Sequence, residues 1–406
     1  MVDRATSMSD VGPTWRRSMR VGSEVSERRG LSSVVPSATS SSYTASRIQT
    51  VRLDRGGGLR KVGGRLEFAL VSATDNRTAM ARLIRGYRQS RCLGVAVELE
   101  LAERLAAGPR TAQELAAEVG AHAPSLRRLL RVLVAMGVLA EDGSGRYSIT
   151  PFGEELRQDR LGPTARLFQA DHSWQAWLRL DHSIKTGERA FEHVYGMRNW
   201  DWYATHPAES AIFDAAMSSL TGPMSVAVAE AYDFSGCQVV ADIGGGEATL
   251  LIEILRRYPS VRGVLFDLPN VVERGRNKVT AAGLLGRCEI VGGNFLEAVP
   301  AGANVYMMKW IIHDWEEPAV STILARCRVA VGDSGAPLLL IERVLPEKVG
   351  PEDLDDVLAD LEMLTGPGGQ ERTEAEYTAL LKRAGFKLER IIPTRTPVKI
   401  LELFPV

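Results

Sequence analysis

One histidine stands where a buried strand would end. In Lys309-Trp310-Ile311-Ile312-His313-Asp314-Trp315 the apolar run before it, residues 305–308, reads as a parallel strand, so His313 leaves the sheet at its carboxyl edge. Open α/β sheets bind and transform ligands at that edge. Imidazole is the side chain suited to taking a proton near neutral pH. The competing role is structural, at a helix start, but a polar ring at such an edge rarely serves packing alone. Asp314 is as well placed to cap the following helix as to touch chemistry. His122, His172, His182, His193 and His206 have no partner pattern, although His172 is a weak candidate for lining a cavity.

A second cluster points to a nucleoside-bearing cofactor. Asp242-Ile243-Gly244-Gly245-Gly246-Glu247-Ala248 joins a strand to a helix. Glycines there let the backbone approach a ligand and tolerate positive φ, so Gly244 and Gly246 are candidate contacts. A dinucleotide fingerprint would place its third glycine where Thr249 stands, which disfavours NAD. Asp267, in Phe266-Asp267-Leu268-Pro269, follows about twenty residues on and can accept both hydroxyls of a ribose. Its alternative is a cap for the helix that Pro269 opens. At the end of the third strand, Gly292-Gly293-Asn294-Phe295 sits where an adenine would lie, with Asn294 bonding the ring edge and Phe295 stacking on it. Lys309 can line the same cleft.

Bringing these groups together takes a regular alternation of elements. The pattern predicts strands at 239–243, 264–268, 289–291, 305–308 and 338–341, with helices at 248–257, 271–282, 318–331, 355–364 and 374–384. Two strands, 387–392 and 399–404, close the chain. Such an order implies a mainly parallel sheet wrapped by helices on both faces. Upstream, Met80, Leu83, Ile84 and Tyr87 share one helical face, and 93–105 continues as an alanine-rich helix. After Gly108-Pro109, Thr111 and Glu114 form a capping box for a helix over 112–119. A helix over 126–136, with Leu126, Leu129, Leu130, Leu133 and Val134 on one face, precedes a hairpin through Asp142-Gly143. Helix, turn, helix and wing make a winged-helix unit. Arg127, Arg128 and Arg131 could face phosphates there, but the surroundings are not strongly basic, so the unit reads as scaffold. Residues 163–232 are helical and aromatic-rich, mostly core, with some rings walling a flat apolar pocket.

Composition narrows the classes. The length of 406 residues allows roughly two or three domains, and shares of 45% hydrophobic and 24% charged residues are those of an ordinary globular protein. A net charge of −1 gives no global pull toward nucleic acid or an anionic membrane. Cys92, Cys237, Cys288 and Cys327 lack CxxC spacing or histidine companions, which disfavours disulfides and zinc and suits a cytoplasmic setting. No apolar run approaches the roughly 18 residues that span a bilayer. Residues 1–70 are rich in Ser and Arg and lack apolar periodicity, so a disordered leader is expected. A transit segment or an early start codon would look the same.

Together these motifs resemble the S-adenosylmethionine-dependent small-molecule O-methyltransferases, in particular plant caffeic acid O-methyltransferases and their bacterial natural-product relatives. The likeness covers residues 78–406 and rests on DIGGGEA, FDLP, GGNF, KWIIHDW, IERVLP and GGQERT in the family's order and spacing. It implies an α/β fold: a Rossmann-like methyltransferase sheet, mostly parallel with an antiparallel last strand, behind an N-terminal all-helical winged-helix dimerisation domain. The implied boundaries are 76–165 for that domain, 166–232 for a helical linker and pocket segment, and 233–406 for the cofactor-binding catalytic domain. The resemblance places Gly244, Asp267, Leu268, Asn294, Phe295 and Lys309 on S-adenosylmethionine. It makes His313 the base, flanked by Glu342 and Glu371. Met217 and Met363 would grip an aromatic acceptor, with Phe213 and Trp315 beside it. It also implies a homodimer and no metal. Two departures stand out: the family usually has Asp where Asn294 stands, removing a charge from adenine recognition, and Gly where Ala248 stands, narrowing the loop.

In that reading a phenol, pKa about 10, passes its proton to a neutral His313, pKa roughly 6.5, as its oxygen attacks the methyl group. Glu371 accepts from the far imidazole nitrogen, and Glu342 does likewise or holds the ring from its other side. The rivals are an NAD-dependent oxidoreductase, a winged-helix DNA-binding regulator with a vestigial enzyme domain, and a relative that turns the same cofactor to other chemistry.

Overall fold

The computed structural model describes residues 75–406, and the leader expected over 1–70 lies outside them. Seven strands build the central sheet: β1 (Val239–Ile243), β2 (Arg262–Asp267), β3 (Cys288–Gly292), β4 (Val305–Lys309), β5 (Leu338–Glu342), β6 (Phe386–Pro393) and β7 (Lys399–Pro405). Their order is β6-β7-β5-β4-β1-β2-β3. Neighbours from β5 to β3 run parallel, while β7 pairs antiparallel with both β5 and β6. The single reversed strand is the last one, as expected.

Side-chain alternation along the strands makes two cores. Val240, Met307, Leu339 and Ile400 pack on one face, under helices carrying Met224, Val228, Leu251 and Val272. Their neighbours Ala241, Met308, Leu340 and Leu401 face the other way, against Val320, Ile323, Leu324, Leu380 and Leu381. Each fully buried Leu or Ile contributes roughly 1.5–3 kcal/mol of transfer free energy, which explains why the strands read as continuous apolar runs. Strands β1 to β5 all end on one edge, so Ile243, Asp267, Gly292, Lys309 and Glu342 are last residues at a common rim.

Ahead of the sheet, the capping box at Thr111 forms: its N–H donates to Glu114 Oε2 at 2.7 Å, and the Glu114 N–H returns to Thr111 Oγ1 at 3.2 Å. Helices Ala112–Val119 and Ala123–Ala135 follow, then a hairpin of Leu139–Glu141 and Arg146–Ile149. The region is not all-helical. Arg110–Thr111 joins the hairpin as a third strand, closing a core of Leu101, Leu115, Leu130, Leu133 and Tyr147. The helix expected over 93–105 also breaks, because Glu100 adopts φ +53 between Tyr87–Glu98 and Leu101–Ala106. That turn re-aims Leu101 and Leu105 into the core.

A second correction concerns apolar length. Helix Pro207–Ala231, 25 residues with mean hydropathy 1.2, is long and apolar enough to cross a membrane by length and composition. In the structure it packs against helices Gly162–Gln169 and Thr249–Arg257 and buries Ala216, Met224, Val228 and Ala229. About a third of its most apolar stretch is buried in this way.

Candidate active site

Strand β4 leaves the sheet through Trp310, a non-glycine residue at φ +55. Such a conformation costs about 1–2 kcal/mol and persists where surrounding structure over-determines it. Here the Trp310 N–H bonds the Ile341 carbonyl at 3.1 Å, and the indole lies under the His313 ring, centroids 6.1 Å apart. His313 sits in the 3₁₀ turn Ile312–Asp314, buried. Its Nδ1 is 2.9 Å from Glu371 Oε1 and 3.9 Å from Glu342 Oε2, and its Nε2 is 3.5 Å from Asp314 Oδ1.

The two glutamates divide the work differently from expectation. Glu371 holds the ring. Glu342, the last residue of β5, holds the backbone instead: its Oε1 accepts the N–H groups of Ile311 at 3.1 Å and Ile312 at 2.9 Å. Asp314 occupies the ring's other side, and Glu316 rather than Asp314 stands at the start of helix Glu317–Val331. Burial alone would depress the imidazole's pKa, but Asp314, Glu342 and Glu371 outweigh it and push it up to about 10. Burial, aided by Glu371, raises Glu342 to about 7, against the pull of His313. Asp314 rises to about 6, also chiefly through burial. The imidazole's pKa therefore lies above its ordinary value, because three carboxyl groups share one sealed site with it.

Glu371 reaches the ring because the loop before it is packed onto the histidine turn. A Cβ at Gly369 would lie 1.8 Å from the His313 carbonyl oxygen and 2.6 Å from the Asp314 carbonyl carbon. Only glycine fits. The Glu371 N–H is tied to Asp360 Oδ1 at 2.9 Å, fixing the loop to helix Leu354–Thr365. Gly369→Ala should displace both backbones and lower turnover on the order of 10²-fold, the effect of about 1 Å of misplacement. Steady-state kinetics on a variant with an unchanged circular dichroism spectrum checks this.

At the other end of the rim, the turn after β1 is drawn tight. Gly244, at φ +71, donates to the Phe266 carbonyl at 2.8 Å, and a Cβ there would meet Ile311 Cδ1 at 2.5 Å. Asp267 ends β2 with each carboxylate oxygen accepting one backbone N–H, Gly246 at 2.8 Å and Leu268 at 2.7 Å. Each oxygen keeps a lone pair free. Burial raises the Asp267 carboxyl's pKa, opposed by these two N–H groups. Ala248 is buried at φ +63, so its departure from glycine is a conformational expense of about 1–2 kcal/mol rather than a matter of loop width. Asn294 spends Oδ1 on the Leu296 N–H at 3.0 Å and Nδ2 on Glu297 Oε1 at 3.3 Å. Lys309 is half-buried, with Nζ 3.3 Å from Thr221 Oγ1 and 5.0 Å from the Trp310 ring centre. Burial lowers its pKa, against Asp242, Glu342 and Asp314.

A histidine ringed by carboxylates and a glycine turn facing a strand-end aspartate thus share one rim. Residues 177–387 match the O-methyltransferase domain, and residues 81–159 match the O-methyltransferase dimerisation domain. This chain belongs to the O-methyltransferase family. It is 38% identical over 330 residues to the phenazine O-methyltransferase PhzM of Lysobacter antibioticus, covering 80% of this chain and 96% of that one. To the mitomycin biosynthesis 6-O-methyltransferase of Streptomyces lavendulae it is 38% identical over 326 residues, 79% of this chain and 92% of that one. Among solved structures it resembles the neocarzinostatin O-methyltransferase NcsB1, in complex with S-adenosylmethionine and 2-hydroxy-5-methyl naphthoic acid. That match has TM-score 0.69 and 35% identity, and covers 82% of this chain and 100% of the other.

Within this methyltransferase a run of aromatic contacts begins at Trp315, two residues past His313. Trp315 packs edge-on against Phe295, centroids 5.8 Å apart, and lines a 250 Å³ cleft with Asp314, Leu296 and Trp200. Trp200 contacts Phe213 at 5.5 Å, and Phe213 contacts Tyr203 at 5.0 Å. Met217, further along the helix of Phe213, and Met363, on helix Leu354–Thr365, are half-buried. Leu268, expected on the cofactor, is 46% exposed just past Asp267. His172 is buried with Nε2 3.0 Å from the Tyr203 hydroxyl. Sequence reasoning passed over Gly369 and left Asp314 undecided. The adjacency of Asp314 to His313 and the paired glycines ahead of Glu371 were the available signals.

Proposed function

We propose that this methyltransferase moves a methyl group from S-adenosylmethionine to a phenolic hydroxyl of a small aromatic natural product, with His313 as the base. One observation carries the reading: a buried imidazole at the carboxyl edge, hydrogen-bonded at 2.9 Å to Glu371 and two residues before Trp315, which packs on Phe295. The cofactor supplies an activated methyl group on a sulfonium. The residues that would hold it are Gly244, Gly246, Asp267, Leu268, Asn294, Phe295 and Lys309. The close approach at Gly244 and the free lone pairs of Asp267 fit an adenosine ribose.

The raised imidazole pKa bears directly on proton transfer. Taking a proton from a phenol of pKa about 10 onto an ordinary imidazole would be uphill by about 5 kcal/mol. Onto an imidazole held at about 10 the transfer is close to thermoneutral. Below that pH the ring first releases a proton to solvent, and the neutral imidazole then takes the phenol's proton, leaving an imidazolium–phenolate pair. We expect kcat/KM to rise with pH toward about 10 instead of levelling near 6.5. Glu371→Gln removes one of the raising charges, and the bend should move to lower pH. A profile that bends at the same pH in both proteins would remove Glu371 from this role.

Labelled S-adenosylmethionine offered with a panel of phenolic quinones, polyketides and alkaloids, followed by product analysis, tests the reaction. The donor atoms of His313, Glu342 and Glu371 also lie within 4.8 Å of one another, so the assay is run with and without a chelator; metal-free turnover is the expected outcome. In the same reading residues 76–165 pair two chains, 166–232 wall the acceptor pocket and 233–406 bind the cofactor. Met80, Leu83, Ile84 and Tyr87, each more than half exposed, are the apolar surface such a homodimer would cover.

A further inference from the structure

Arg372 is a fully buried guanidinium, 1% exposed, and none of the ion pairs among the described residues includes it. Sealing an unpaired cation is costly unless its N–H groups find acceptors. Its Nη1 points at two carbonyl oxygens, those of Gln370 at 3.1 Å and Ile312 at 3.5 Å. These belong to the residues immediately before Glu371 and His313. The guanidinium also lies over the Tyr377 ring, 6.0 Å from its centre, and Tyr377 is itself sealed. Both contacts come from one arm, Nη1, while Nη2 is buried without a hydrogen-bond partner; a planar group on a stem trapped this way has little freedom to follow a moving backbone.

We propose that Arg372 is a positioning residue that clamps the backbone of the histidine turn to the backbone of the Glu371 loop. It thereby fixes the Nδ1–Oε1 contact between them. Gly369 sets how closely the two segments approach, and Arg372 sets their register. Glu342 completes the frame by holding the Ile311 and Ile312 N–H groups. The role rests on the reading of His313 and Glu371 as the working pair.

The test is spectroscopic and needs no acceptor. The Nδ1 proton between His313 and Glu371 should give a downfield, exchange-protected NMR resonance, identified by its loss in His313→Gln. In Arg372→Met, which keeps the stem but has no N–H, that resonance should vanish or exchange roughly tenfold faster. S-adenosylhomocysteine affinity should be unchanged. Arg372→Lys keeps the charge without the fork; it should show a weaker form of the same loss, and it carries the test if the methionine variant does not fold. A resonance of unchanged shift and exchange rate in a folded variant overturns the clamp, as does its absence from the wild-type protein. Failure of the base reading would show separately, as undiminished turnover in a His313 variant.

Discussion

His313→Ala is expected to lower kcat by roughly 10²–10⁴-fold, the usual worth of a positioned general base. The dissociation constant for S-adenosylhomocysteine should hardly move, because the glycine turn and Asp267 stand on other strands. The split between the two readouts separates a lost proton acceptor from a collapsed fold. Undiminished turnover would remove the histidine from the mechanism. The substitution also alters the pH dependence of stability. The imidazole's pKa is about 10 when folded against 6.5 ordinarily, so its stabilising contribution is full below 6.5 and is lost as pH rises through about 10. Thermal melts across that window should fall more steeply for the wild type than for the variant.

Asp267→Ala should act on the opposite side of the rim. A carboxylate accepting two ribose hydroxyls contributes about 1.5–3 kcal/mol per bond, so affinity for S-adenosylhomocysteine should fall on the order of 10²-fold or more. The same carboxylate anchors the N–H groups of Gly246 and Leu268, and the turn loosens with it. Turnover at saturating cofactor should be far less affected than in His313→Ala. Calorimetric titration measures the first quantity, and an unchanged affinity would leave Asp267 as no more than a turn anchor.

Local rules made much of this architecture readable. The capping box at Thr111 and Glu114 is contained in four residues, and it forms as its spacing predicts. The strands announce themselves because burial on both faces demands unbroken apolar runs. The helix break at Glu100 and the third strand at Arg110–Thr111 were not legible. Neither has a local signature; both are imposed by the small core they close. Ala248 shows the same limit, since only its backbone angle explains why glycine is the easier residue there.

By itself the order of residues determined most of the elements, the rim on which the reacting groups stand, and the types of those groups. Period, caps and turn chemistry act over a few neighbours and survive without the rest of the chain. Tertiary structure alone decided the partnerships: Glu371 on the ring and Glu342 on the backbone, Asp314 at the second nitrogen, and Arg372 sealed behind them. It also decided the direction in which the pKa of His313 moves. A pKa depends on what burial brings within a few ångströms, and here those carboxylates come from a strand end, a 3₁₀ turn and a loop that meet only once the sheet is folded.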